Sequence, residues 1–157
     1  LTEYIVPVPA ADLYGSIQKK AELYEVCEKF GIPYPDSKIL TAPVDAAELT
    51  EDKLGFAYPI IVKPSSSVDY WKHPFDTMKK VYTAATPAEA AEIVKTIYAS
   101  GYPDRMVLQK MVPGGDDHMR VLTAFSDENG KVRAMCLGHT MVEEHTPRPG
   151  QPCRHRQ

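Results

Sequence analysis

Six residues narrow the fold of this chain more than any others. Pro59-Ile60-Ile61-Val62-Lys63-Pro64 sets three β-branched side chains between two prolines and ends them on a lysine. Branched residues suit the pleated, half-buried surface of a sheet, and proline is confined to strand ends and edges. The segment predicts a short strand, Tyr58 to Val62, that carries the Lys63 ammonium to a fixed point and opens into a polar loop, Ser65 to His73.

The neighbouring segments fit a sheet with helices against it. Ser16 to Phe30 reads as a helix, with Ala21, Tyr24, Cys27 and Phe30, joined by Leu23 and Val26, as its apolar stripe. Gly31 is placed to stop it, with Pro33 just behind. Lys38 to Thr41 reads as a strand, and Asp45 as the cap of a short helix reaching Leu54. Lys80 to Ala84 is a further strand. Thr86-Pro87-Ala88-Glu89 then starts a helix that runs to about Ser100: threonine caps, proline takes the first helical position and glutamate closes a capping box. Met106 to Val112 is a strand, and Pro113-Gly114-Gly115-Asp116 a turn. His118 to Ser126 and Lys131 to Val142 form a hairpin around Asp127-Glu128-Asn129-Gly130. Strands in neighbouring pairs with helices between them predict an α+β fold with a largely antiparallel sheet.

Bulk properties exclude several classes. A net charge of -3 argues against a phosphate-tracking nucleic-acid binder. Three unclustered cysteines, Cys27, Cys136 and Cys153, make neither a disulfide framework nor a zinc pattern, and point to a reducing, cytoplasmic setting. Cys27 and Cys136 sit among apolar residues and are expected to be buried and inert. No apolar run is long enough to span a bilayer. Leu1 to Ala10 lacks the basic and apolar regions of a signal peptide. The segment from Pro147 to Gln157 is basic, proline-rich and nearly free of apolar residues, so it is expected to stay disordered. A reading-frame slip near Gly150 would leave a tail of this kind.

Three clusters carry chemistry. Lys20 opens a helix that leads to Gly31-Ile32-Pro33. Lys63 closes a strand and precedes Ser65-Ser66-Ser67, small residues whose N–H and O–H groups could approach a phosphate. The lysine comes before the loop, so this is not a Walker P-loop. Gln109-Lys110-Met111-Val112-Pro113-Gly114-Gly115-Asp116-Asp117 joins a strand amide and free strand backbone to a carboxylate in a glycine turn. Each cluster alone also reads as an ordinary solvated lysine, polar loop or turn. Arg120 is a further candidate partner for a phosphate or carboxylate, since its planar fork suits such anions. Glu143 and His145 share one strand face, a weak basis for metal, and no metal ligand is assigned. Tyr70 and Trp71 read either as a shield over a nucleotide or, the commoner case, as anchors of the loop on the core.

Together the clusters resemble the ATP-grasp superfamily of carboxylate–amine ligases. That family has a lysine opening a helix before a Gly-Ile-Pro-Pro-like segment, a Pro-(apolar)3-Lys-Pro strand, a small-residue loop, and an acidic or amide residue before Lys, a turn glycine and an acid. The resemblance covers about Gln18 to Asp117. It implies an ATP-grasp central subdomain, an antiparallel sheet with flanking helices, plus the first strands of the second lobe. On that reading residues 1–15 are an extended lead-in, 16–112 the first lobe, 113–146 the start of the second and 147–157 the tail. It implies that Lys20 and Lys63 bind the ATP phosphates, Lys63 also lying near the adenine edge. Ser65, Ser66 and Ser67 would lie over the β- and γ-phosphates, Gln109 with the backbone of Lys110 and Val112 would read adenine, and Asp116 would bind ribose. Ile32-Pro33-Tyr34-Pro35, Val68-Asp69-Tyr70-Trp71, Met119-Arg120-Val121-Leu122-Thr123, and Leu137-Gly138-His139 through Glu143 to Pro147 resemble the D-aspartate ligase branch, which attaches D-aspartate to the lysine side chain of cell-wall precursors.

The sequence also departs from the family pattern. Lys19 stands where many members have aspartate, Gln109 where glutamate is commoner, and serines where many relatives have loop glycines. The family's Mg²⁺ ligands are expected beyond Pro147, past the end of this chain. The partners implied are ATP, a small carboxylic acid and an amine acceptor. The oligomeric state is left open.

Overall fold

The computed structural model describes residues 11–114 and 118–139. The chain divides into two compact units between Val112 and Pro113.

The first unit is built on a four-stranded antiparallel sheet. Its strands are β1 (Ser37–Leu40), β2 (Ile60–Pro64), β3 (Tyr82–Ala84) and β4 (Met106–Lys110), in the spatial order β1-β4-β2-β3. Strand β4 is the central register: Gln109 pairs with Ser37 on one side and with Ile61 on the other. Along β2, Ile60, Val62 and Pro64 are buried, while Ile61 and Lys63 on the opposite face are half-buried. This alternation follows from the two-residue period of a strand.

Helix α5 (Pro87–Ala99) buries Ala90, Ala91, Val94 and Ile97 in the core with Ile60, Val62, Met106 and Leu108. Its start is as the sequence predicts, with one difference. Thr86 Oγ1 accepts the Glu89 N–H at 3.2 Å, but the Glu89 carboxylate accepts from Ala85 N–H at 2.7 Å, one residue earlier than a capping box requires.

The N-terminal helical region differs from expectation. Residues 11–15 are helical, not extended: the prolines at positions 7 and 9 precede α1 (Ala11–Gln18), which contains none. A single helix from Ser16 to Phe30 does not form either. Lys19 is extended (φ -93°, ψ 138°) and separates α1 from α2 (Lys20–Phe30). Three bonds hold that break. Lys19 Nζ lies 2.8 Å from Asp104 Oδ2, the Lys20 N–H donates to Ser65 O at 3.2 Å, and the Ala21 N–H donates to Ser65 Oγ at 3.0 Å. The first amides of α2, which no helix satisfies internally, thus find partners on the loop after β2. Gly31 ends α2 in the left-handed conformation (φ 63°), where the Gly31 N–H reaches Glu28 O and the Ile32 N–H reaches Cys27 O. Ala21 and Cys27 of the expected stripe are buried, but Phe30 and Leu23 are exposed.

Two shorter elements also differ. The helix expected from Asp45 to Leu54 is a 3-10 turn at Ala46–Glu48 followed by α3 (Glu51–Leu54). The loop expected from Ser65 to His73 contains the one-turn helix α4 (Ser67–Tyr70), capped by Ser66, whose Oγ accepts the Asp69 N–H at 3.2 Å. Within it, Tyr70 is the anchor, buried against Tyr82, Phe75 and Tyr102. Trp71 is exposed, because Tyr70 already fills the inward position.

The second unit contains an antiparallel hairpin, β5 (Arg120–Ser126) with β6 (Val132–His139). Its turn is longer than a two-residue Asn-Gly hairpin. The Gly130 N–H donates to Asp127 O, Gly130 alone takes positive φ, and a bulge falls at Phe125/Ser126. Val121, Leu122, Phe125, Met135 and Leu137 are exposed. So is Cys136, against the expectation of burial: a two-stranded ribbon alone has no second layer to cover it.

Candidate nucleotide-binding site

Four of the residues singled out in the sequence, Lys20, Ser67, Lys63 and Gln109, fall into two adjoining groups on the first unit. In one, Lys20 Nζ donates to Ser67 Oγ at 3.2 Å and lies 3.5 Å from Ser65 O. Both acceptors are neutral. Half-burial lowers the Lys20 ammonium below its ordinary value, and the like charges of Lys63 and Lys80 lower it further. Among the described residues Lys20, Lys63 and Lys80 have no carboxylate within ion-pair distance. Lys80 was not singled out in the sequence. It was read as the first residue of a strand, but β3 begins only at Tyr82 and Lys80 lies in the irregular segment before it.

In the second group, Lys63 Nζ donates to Gln109 Oε1 at 2.7 Å and to the Tyr24 hydroxyl at 3.1 Å. Gln109 Nε2 donates to Tyr24 OH at 2.8 Å and to Ser37 Oγ at 2.9 Å. The orientation of this amide is dictated by chemistry. An ammonium has donors only, so the oxygen must face Lys63 and the NH₂ must face the two hydroxyls. The Tyr24 ring stacks on Tyr34 at 4.9 Å, nearly parallel, and the Tyr34 hydroxyl donates to Glu28 at 2.8 Å. Tyr24 and Ser37 were also not singled out for chemistry. Tyrosine counted as apolar in the helix stripe, which hid its hydroxyl.

Several expected roles do not match the geometry. Ser65 and Ser66 are buried and bonded inward. The Ser65 N–H goes to Arg105 O and its hydroxyl meets Ala21 and Glu22, while the Ser66 N–H goes to Tyr102 OH and its hydroxyl to Asp69. These bonds use the N–H and O–H groups that were expected to face phosphates, and of the three serine hydroxyls only that of Ser67 meets a site lysine. Gln109 likewise uses its whole amide inside the unit. The Lys110 N–H goes to Asp36 O at 2.9 Å and its ammonium to Asp36 Oδ2 at 3.0 Å, so neither donor is turned to a base. Val112 is exposed beyond the end of β4. Asp116, Glu143 and His145 lie outside the described residues. Arg120 begins β5 in the second unit, where its guanidinium donates to Met119 O at 2.9 Å.

Two lysines without carboxylate partners among the described residues leave positive charge that an anion can balance. Among the described residues no group of three or more His, Cys, Asp or Glu side chains could hold a metal ion.

In sequence the chain resembles a known ligase. It is similar to the D-aspartate ligase of Enterococcus faecium (strain Aus0004), with 38% identity over 148 residues, or 94% of this chain. The chain spans 35% of that relative's length. No protein-family model matches it. Among solved structures, D-alanine–D-alanine ligase from Bacillus anthracis aligns at a TM-score of 0.46 and 20% identity, covering 82% of this chain and 43% of that one. D-Alanine–D-alanine ligase from Helicobacter pylori aligns at 0.47 and 17%, covering 93% and 40%.

Proposed function

We propose that this chain grips ATP for an ATP-dependent carboxylate–amine ligase. The observation that carries the reading is the half-buried Lys20 ammonium, set on neutral oxygens with Lys63 and Lys80 close enough to destabilise its charge. Such a group lacks a counter-ion, and a polyphosphate supplies one. Lys20 and Lys63 would hold the phosphates, with Ser67 beside Lys20.

In an enzyme of the relative's length the proposed reaction runs in two steps. A carboxylate oxygen attacks the γ-phosphorus and ADP departs, leaving an acyl phosphate. An amine nitrogen then attacks the acyl carbon, phosphate departs and the nitrogen loses a proton. Positive side chains stabilise the charge that builds on the transferring phosphoryl group. Similarity to a D-aspartate ligase supports D-aspartate as the acid, and the branch resemblance read in the sequence implies the lysine of a cell-wall precursor as the acceptor. Mg²⁺ would add positive charge beside the phosphates, and none of its ligands is assigned to a residue of this chain. A cytoplasmic setting, with ATP at hand, goes with this reading. Among the described residues no helix is long and apolar enough to cross a membrane.

The test is calorimetric titration of the chain with ATP and Mg²⁺, beside a Lys63→Met/Gln109→Ala variant. Saturable heat that the variant loses supports the reading. Equal heats from both proteins would overturn the assignment of the site.

A further inference from the structure

We propose that Tyr24 is a third ligand-contacting residue of this site, donating its hydroxyl proton to a phosphoryl oxygen of the nucleotide held by Lys63. The inference rests on the nucleotide reading above and adds a residue that neither the motifs nor the family pattern single out. It follows from counting donors. Lys63 Nζ can only donate, and it does so to the Tyr24 oxygen at 3.1 Å. The orientation that Lys63 imposes on Gln109 makes Nε2 the atom 2.8 Å from the same oxygen, so that contact is also donated to Tyr24. The phenol oxygen thus receives two bonds and keeps its own proton to give. Among the described residues no acceptor takes it. The half-buried ring is held by its stack on Tyr34, which fixes where the phenol oxygen sits, and the two bonds it accepts leave its proton to point away from both donors. A proton donor held beside an ammonium that lacks a carboxylate partner suits an anionic oxygen that both groups share.

Tyr24→Phe removes the hydroxyl and keeps the ring stack. The chain, its Tyr24→Phe variant and its Lys63→Met variant are each titrated with ATP, inorganic tripolyphosphate and adenosine, with thermal unfolding as the check that each is folded. The expected result is that Tyr24→Phe binds ATP and tripolyphosphate about tenfold or more weakly, as for loss of a hydrogen bond to a charged group, with adenosine unaffected. ATP binding equal to wild type, or a loss confined to adenosine, would overturn the role of Tyr24 while Lys63→Met still reports on the nucleotide reading. Absence of ATP binding by the wild-type chain would overturn both.

Discussion

The side-chain oxygen of Ser65 accepts the backbone N–H of Ala21 at 3.0 Å, although the two residues lie 44 positions apart. The carbonyl of the same serine accepts the Lys20 N–H. The loop after the lysine strand and the start of the lysine helix are therefore one structural unit, and what disturbs one disturbs the other.

Ser65→Ala should destabilise the first unit. It removes a cap delivered from a distant part of the chain and leaves a buried N–H without its acceptor, a loss of about 1–3 kcal/mol. Urea unfolding of the variant should show a lower midpoint with an unchanged slope. An unchanged midpoint would mean that water replaces the serine at no cost.

Lys20 should give the protein a distinctive alkaline response. Its folded pKa lies below the ordinary 10.5, because of burial first and then Lys63 and Lys80. Between the two values the unfolded chain binds more protons than the folded one, so this group makes stability rise as pH increases towards 10.5. Tyrosines with raised pKa values, such as Tyr58 and Tyr98, act in the opposite sense near their ordinary value. The measurement is thus a difference. Unfolding free energies of wild type and Lys20→Met, followed upwards from pH 7, should converge as Lys20 loses its proton. The variant should be the more stable at neutral pH without ligand, and should no longer gain stability from tripolyphosphate.

Asp69 should govern the acid side of the loop. The hydroxyl of Ser66 first, then Lys72, hold its carboxyl below the ordinary 3.8. A depressed carboxyl contributes stability that is fully present above its unfolded value and is lost as pH falls through the folded one. Asp69→Asn should flatten that part of the acid-unfolding curve. Identical curves for variant and wild type below pH 4 would exclude the Ser66–Asp69 pair as a stabilising contact.

Two leucines should separate the two units. Leu108 is fully buried at the centre of the sheet, and its truncation to alanine should cost about 2–5 kcal/mol. Leu137 is 68% exposed on the hairpin, and the same substitution there should stay within about 0.5 kcal/mol. Thermal unfolding of the two variants provides the comparison.

The parts of this molecule legible in the sequence are those governed by local rules. The Pro59–Pro64 run gave its strand, Thr86-Pro87 gave the start of α5, and Gly31 gave the end of α2, because each depends on a few adjacent residues. The break at Lys19 was not legible, since Ser65 and Asp104 hold it from far along the chain. The lysines of the site could be read as candidates because charge at a strand end or helix start is conspicuous. Their supporting partners, Tyr24 and Ser37, could not. Tyr24 looks apolar in a helical stripe, and Ser37 reaches Gln109 only through a strand pairing that spans most of the unit. The inward use of Ser65 and Ser66 was hidden for the same reason: a serine's partners are set by tertiary packing.

The strand order β1-β4-β2-β3 has a consequence for how the protein is made. Strand β4, the last of the four to be synthesised, lies between β1 and β2. A nascent chain leaving the ribosome can pair β2 with β3, but Ser37 has no strand beside it until Gln109 has emerged. Closing that gap is a long-range step of the kind that slows folding. Lys63 meets Gln109 only at the same late moment, so the second half of the site is assembled by the event that completes the sheet, and a chain stalled before residue 106 would carry Lys63 without the amide that fixes it.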